Sequence, residues 1–229
     1  MVTHNPADLA NELRLRAQDA EGEERNELLY LAIEYERMAQ ETGTGKVVVT
    51  DKAEVVAGAD RIVLPGDGAF PACAAALRGH SGLFDALVEA VETRGRPFLG
   101  ICVGMQLMAT TGHEYEETPG LGWIDGDVRR ITPDDPSLKI PHMGWNVVDA
   151  PAASVLFRGL DADTRFYFVH SYAAQQWEGD PSALLTWATH HVPFLAAVET
   201  GALSATQFHP EKSGDAGAEL LSNWIGALS

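Results

Sequence analysis

Cys102 sits at the centre of PFLGICVGMQL, residues 97–107, where a Gly-x-Cys-x-Gly unit separates an apolar run from a helix-like run. One reading is a nucleophile on a strained strand-to-helix turn, where small neighbours let the backbone turn sharply and let a substrate approach. The other is a buried structural cysteine that serves as a small apolar filler. A thiol attacks well only as thiolate, so a working Cys102 needs a base or the positive end of a dipole. The helix that opens after it offers the dipole. The base must come from elsewhere, and TQFHPEKS, residues 206–213, offers His209 with Glu211 two residues on. Residues two apart in an extended segment share a face, so the Glu211 carboxylate can reach one imidazole nitrogen and turn the other towards a thiol. Pro210 between them favours the extended backbone. A neighbouring His and Glu also occur together by chance, and the spacing leaves both readings open.

The elements that must carry these groups are visible in the hydrophobic pattern. Residues 7–41 read as helix, with Leu9, Leu13, Leu28, Leu31, Ala32 and Tyr35 recurring at three- and four-residue steps and a break in AEGEERN. After TGTG the pattern changes to short apolar runs that end in turn residues: KVVVT, RIVLPGDG and PFLGIC. With helical stretches at 52–58 and 71–94 between them, these predict buried parallel strands of an α/β sheet. From Gly120 onward GLGWIDGDVRRI, HMGWNVVDA, RFYFVHSYA, ALLTWAT, PFLAAVET and LSATQFH alternate as antiparallel strands do, and a last helix spans about 214–228.

Composition narrows the function. A chain of 229 residues can form one domain, or one with an appendage. The segments predicted are a helical N-terminal stretch, 1–45, and a domain over 46–229. Thirty-three acidic against 16 basic residues give a formal charge of −17, which repels nucleic acid and anionic membranes. No apolar run approaches the roughly 18 residues of a membrane span, and the N-terminus has no signal-peptide core, so a soluble, cytoplasmic protein is expected. Cys73 and Cys102 cannot make a disulfide framework and lack zinc spacing; neither metal nor cofactor is expected. GTGK, residues 43–46, lacks the full phosphate-loop pattern and reads as a turn. Adjacent His190 and His191 read as surface or loop residues, Cys73 as core filler on a helix, and EYEE, residues 114–117, as a solvated loop.

Taken in order, the Cys102 and His209 segments resemble the two halves of the active site of class I glutamine amidotransferases. PHMGWN, residues 141–146, and YFVHSY, residues 167–172, narrow the resemblance to the glutaminase subunits of imidazole glycerol phosphate synthase. It covers roughly residues 35–229 and implies a flavodoxin-like α/β fold, a mixed central sheet flanked by helices. It further implies a catalytic triad of Cys102, His209 and Glu211, and an oxyanion hole from the backbone N–H groups of Val103 and Asp67. Gly66, Gly68, Gln106, Ser171 and Tyr172 would bind glutamine. Met143, Trp145, Asn146, Tyr167 and Lys212 would face a (β/α)8-barrel cyclase subunit that receives the ammonia for histidine biosynthesis. The chain departs from that family at its start: an atypical helical segment replaces the usual first strand and its Asp-Tyr-Gly-x-Gly-Asn turn, and KVVVT could slide into the vacated slot. The rivals are a glutaminase serving another synthase, which PHMGWN disfavours, and an interaction subunit without catalysis.

Overall fold

RIVLPG and PFLGIC become β1 (Ile62–Gly66) and β2 (Phe98–Cys102), paired in parallel with Gly66 opposite Cys102 in this computed structural model. The structure describes residues 47–132, 139–177 and 179–227. The chain divides into two compact units, residues 1–50 and 51–229. The helical reading of 7–41 lies outside the described residues.

Every position of β2 is buried, as a strand covered on both faces requires. On its other side lies β11 (Leu203–Thr206), also parallel, followed by antiparallel β10 (Val192–Thr200) and β9 (Leu184–His190). The order β1-β2-β11-β10-β9 is the mixed central sheet that the family resemblance implies, and it corrects the reading of LSATQFH, which is antiparallel to β10 but parallel to β2. Its three parallel strands end together, which brings Gly66, Cys102 and the chain following Thr206 to one rim. Ligands bind beyond the carboxyl ends of such strands because the loops there converge.

Helices α1 (Ala53–Gly58), α2 (Phe70–Gly79) and α3 (Leu83–Val88) precede β2, and α3 runs on into a π turn over Glu89–Thr93. The single helix expected over 71–94 is thus broken, at Gly82, whose φ of 70° ends its regularity. After β2 comes α4 (Val103–Leu107), and the chain closes on α5 (Gly214–Gly226). Gly217, Leu220, Leu221 and Trp224 are the buried residues of α5, a stripe at three- and four-residue spacing. Among the described residues no helix is long and apolar enough to cross a membrane.

A second sheet has the order β4-β3-β5-β8, from β3 (Ala109–Glu114), β4 (Glu116–Pro119), β5 (Ile124–Arg130) and β8 (Tyr172–Ala174). A two-stranded ribbon pairs β6 (His142–Val147) with β7 (Arg165–His170). Three expectations are corrected here. EYEE is no loop but the tip of the β3–β4 hairpin: Tyr115 turns at φ 61°, and the Glu114 carboxylate accepts the Phe70 N–H at the start of α2, 2.8 Å away. RFYFVHSYA is not one strand, because the chain breaks at Ser171 and sends β7 to β6 and β8 to β5. KVVVT forms no strand over 47–50; Val48 and Val49 are exposed and find no ladder partner among the described residues. A strand without a neighbouring edge gains nothing from being extended.

Gly217 sets how closely α5 approaches the turn that carries Glu211. A Cβ there would lie 1.8 Å from the Pro210 carbonyl oxygen. Gly217→Ala is expected to cost about 2 kcal/mol by overpacking, seen as a lower urea midpoint at unchanged slope. An unshifted midpoint would contradict the close approach.

Candidate active site

The glycines around Cys102 exist because the start of α4 is pressed onto the ends of β1 and β2. A Cβ on Gly104 would stand 1.8 Å from the Leu64 carbonyl oxygen, one on Gly100 would stand 2.8 Å from the Gly104 carbonyl oxygen, and one on Gly66 would stand 2.7 Å from the Gly104 nitrogen. Between those contacts Cys102 is held at φ 52°, ψ −110°, outside the regions open to ordinary L residues. Such a conformation costs about 1–3 kcal/mol and persists only where its surroundings impose it. The side chain is 4% exposed, at the junction of strand and helix. Its neighbour Val103 opens α4.

His209 enters from the segment that follows β11. Its Nδ1 donates to Glu211 Oε1 over 2.6 Å, and Cys102 is the other side-chain partner of the ring, which leaves Nε2 for the sulfur. Glu211 reaches His209 differently from the expectation. Pro210–Lys212 form a 3-10 turn, so the carboxylate folds back rather than lying along an extended strand. Proline at the first position of that turn has no N–H to lose. Ser213 fixes the backbone: its hydroxyl donates to the His209 carbonyl at 2.6 Å and accepts the Tyr167 N–H at 3.0 Å, while the His209 N–H donates to the Tyr167 carbonyl at 2.9 Å. Burial pushes the imidazole pKa down, but the bonds and charges of Cys102 and Glu211 outweigh it and raise it to about 10.

Gln106 projects from α4 and its amide nitrogen spends both hydrogens on the protein, one on the Tyr172 carbonyl at 2.9 Å and one on Gln207 Oε1 at 3.1 Å. Gln207 then donates to Cys102 Sγ at 3.7 Å. Tyr172 is therefore joined to Gln106 through its carbonyl, and the preceding Ser171 gives its own carbonyl to the Ile131 N–H. Gly68 has φ 105° and Asp67 is exposed, with its carbonyl oxygen accepting from Cys73 Sγ at 3.4 Å. Cys73 is thus not core filler. It is half-buried and ties down the loop after β1; burial, then the charges of Asp67, Cys102 and Glu114, raises its pKa and keeps the S–H that donates. The spacing of motifs misses Gln207 and Ser213, although both lie inside TQFHPEKS.

The remaining predicted positions gather on the β6–β7 ribbon. Met143 and Trp145 are 62% and 54% exposed and Val147 joins them on the same face. Trp145 meets Tyr167 edge to face with ring centroids 5.9 Å apart. Asn146 donates to the Thr189 carbonyl, and Lys212 is half-buried on the turn after His209. On the opposite face of β6 the buried His142 stacks on His190 at 4.2 Å. That corrects the surface reading of His190, whose Nε2 donates to the Lys139 carbonyl; His191 is the exposed turn residue, at φ 71°.

Cys102 on its strained elbow is thus faced by a His–Glu pair that follows β11, the strand paired directly with β2 in the mixed sheet. The family model of glutamine amidotransferase class-I matches residues 37–227, and the chain belongs to that family. A crystal structure of a glutamine amidotransferase shares the fold at a TM-score of 0.61 and 19% identity, over 85% of this chain and 94% of that one. More particularly, the chain is 58% identical over 191 residues to imidazole glycerol phosphate synthase subunit HisH of Ruegeria pomeroyi, covering 83% of this chain and 89% of that protein. It is 56% identical over 194 residues to the subunit HisH of Mycobacterium tuberculosis H37Rv, 84% of this chain and 91% of that protein. The subunit HisH of Cereibacter sphaeroides is 51% identical over 191 residues, 83% of this chain and 89% of its own length.

The histidines give stability a pH optimum. Burial, with the charges of His170 and His190, pushes His142 down to about 3; burial, with the charges of His190 and His209 and against the Tyr172 carbonyl, pushes His170 down to about 4. The unfolded chain takes up these protons near the ordinary 6.5, so stability is lost as pH falls from 6.5 through 4 towards 3. His209 has the opposite sign: its contribution is complete below 6.5 and is lost as pH rises through about 10. Urea unfolding between pH 4 and 10 is expected to show these groups setting a maximum near 6.5, with a shallower acid limb in His142→Phe and a shallower alkaline limb in Cys102→Ala. Unaltered limbs in both variants would contradict the assignment.

Proposed function

We propose that this chain hydrolyses glutamine to glutamate and ammonia and delivers the ammonia to the cyclase subunit of imidazole glycerol phosphate synthase, in histidine biosynthesis. The observation that carries the chemistry is the buried pairing of Cys102 with His209, whose ring is itself held by Glu211 at 2.6 Å. Cys102 Sγ attacks the carboxamide carbon of glutamine, and the C=O π pair moves to the oxygen. The N–H groups of Val103 and Asp67 receive that oxyanion, which two aimed donors stabilise most as charge develops. His209 Nε2 passes its proton to the departing nitrogen, the C–N bond breaks, and ammonia leaves a glutamyl thioester. Water then attacks the thioester, His209 takes the water's proton, and glutamate leaves as the thiolate returns.

The committed amide hydrogens of Gln106 leave its carbonyl oxygen to accept from the α-ammonium of glutamine. Backbone groups of Gly66, Gly68, Ser171 and Tyr172 line the same side. The β6–β7 ribbon, with Met143 and Trp145 exposed, Asn146 and Tyr167 half-buried and Lys212 beside it, is the surface for a (β/α)8-barrel cyclase. Its apolar area and two aromatic rings suit a partner interface. The working unit is the domain over 46–229, preceded by the segment 1–45, in the cytoplasm.

The test is glutamate release by the full chain, alone and with the cyclase subunit and its nucleotide ligand. Release should rise with the liganded partner and fall at least about a thousandfold in Cys102→Ala. Release no greater than that of Cys102→Ala, from a folded sample that binds the cyclase, would instead identify an interaction subunit without catalysis.

A further inference from the structure

Asn146, His142 and His170 form a line of hydrogen bonds that can run in one direction only. His170 Nδ1 lies 2.9 Å from the Tyr172 carbonyl oxygen, and a carbonyl only accepts, so Nδ1 carries the proton. In a neutral ring Nε2 is then bare, and it faces His142 Nδ1 at 3.0 Å, which must be the donor. His142 Nε2 is left to accept, and Asn146 Nδ2 stands 3.4 Å from it, its other hydrogen on the Thr189 carbonyl at 3.0 Å. A second proton on either ring would set two N–H groups against each other. At the far end, the Tyr172 carbonyl that receives this line is the one that also holds the Gln106 amide.

The surroundings are aromatic: His142 stacks on Phe168 at 4.8 Å, and His170 meets Phe194 edge to face, also at 4.8 Å. Phenylalanine would fill such a site without the cost of burying polar nitrogens, so the nitrogens are there for what they bond. The line starts on β6, whose other face carries Met143 and Trp145, and its longest link is the one at Asn146. We propose that Asn146, His142 and His170 are positioning residues: they set where the Tyr172 carbonyl, and through it Gln106, stands, and so couple the exposed face of β6 to glutamine binding. This rests on the reading of Gln106 as a glutamine-binding group.

The test uses the full chain with the cyclase subunit. Nitrogen-15 NMR of labelled histidine at neutral pH should find both rings as the Nδ1–H tautomer. His142→Phe and His170→Phe should raise the KM for glutamine about tenfold while kcat moves less than about twofold, the size expected for one hydrogen bond no longer aimed. His142→Asn, whose amide can replace Nδ1 as donor, should recover most of that loss, with thermal midpoints showing all variants folded. An Nε2–H tautomer in either ring, an unmoved KM, or an Asn variant no better than Phe would overturn the relay. A wild-type chain that releases no glutamate would refute the glutaminase reading; the tautomers and the calorimetric dissociation constant of glutamine, in wild type and variants, then judge the relay by the same criteria.

Discussion

Everything at the rim of the central sheet depends on how near α4 comes to β1. The approach of Gly104 to the Leu64 carbonyl admits no side chain, and it forces the single residue between strand and helix into a backbone conformation that an unconstrained chain avoids. A looser fit would let Cys102 relax into an ordinary turn and swing its sulfur away from His209. The parallel pairing of β1, β2 and β11 is what holds the parts in register. It ends three strands at one level and delivers the loop glycines, the sulfur and the imidazole from three distant stretches of chain.

Two opposed electrostatic demands meet at His209. Taking an imidazole out of water favours its neutral form, and around His142 and His170 that effect prevails. At His209 a carboxylate and a sulfur on either side of the ring reverse the outcome within the same small region. The difference is one of partners and not of depth: His170 faces a carbonyl and another ring, which offer dipoles, whereas His209 faces groups that can carry full negative charge.

The two chemical motifs were legible in the sequence because each is local, although the 3-10 turn that brings Glu211 to His209 was not the extended segment their spacing suggests. Strands β2 and β10 of the mixed sheet were legible as nearly unbroken apolar runs, whereas β11, Leu-Ser-Ala-Thr, hides its parallel pairing with β2 behind an alternating pattern. What resisted reading is set by distant pairing. Gln106 meets Gln207 across 101 positions and His142 meets His170 across 28, and neither pairing leaves a periodic trace. The break at Ser171 is invisible because β7 and β8 alternate alike while serving different sheets. EYEE misleads by composition: its charges are solvated, yet their backbone is committed to a hairpin. KVVVT misleads the other way, having strand residues without a strand to pair with among the described residues.

The bare apolar strip of Met143, Trp145 and Val147 is the kind of surface on which identical molecules stick to one another. The chain's formal charge of −17 works against that, since two copies approaching face to face repel before their strips touch. Added salt shortens the range of this repulsion, so the guard against self-association is a property of dilute electrolyte and not of shape. The acidic surplus thereby acts as a colloidal stabiliser that leaves the hydrophobic window on β6 open to whatever does not share its sign.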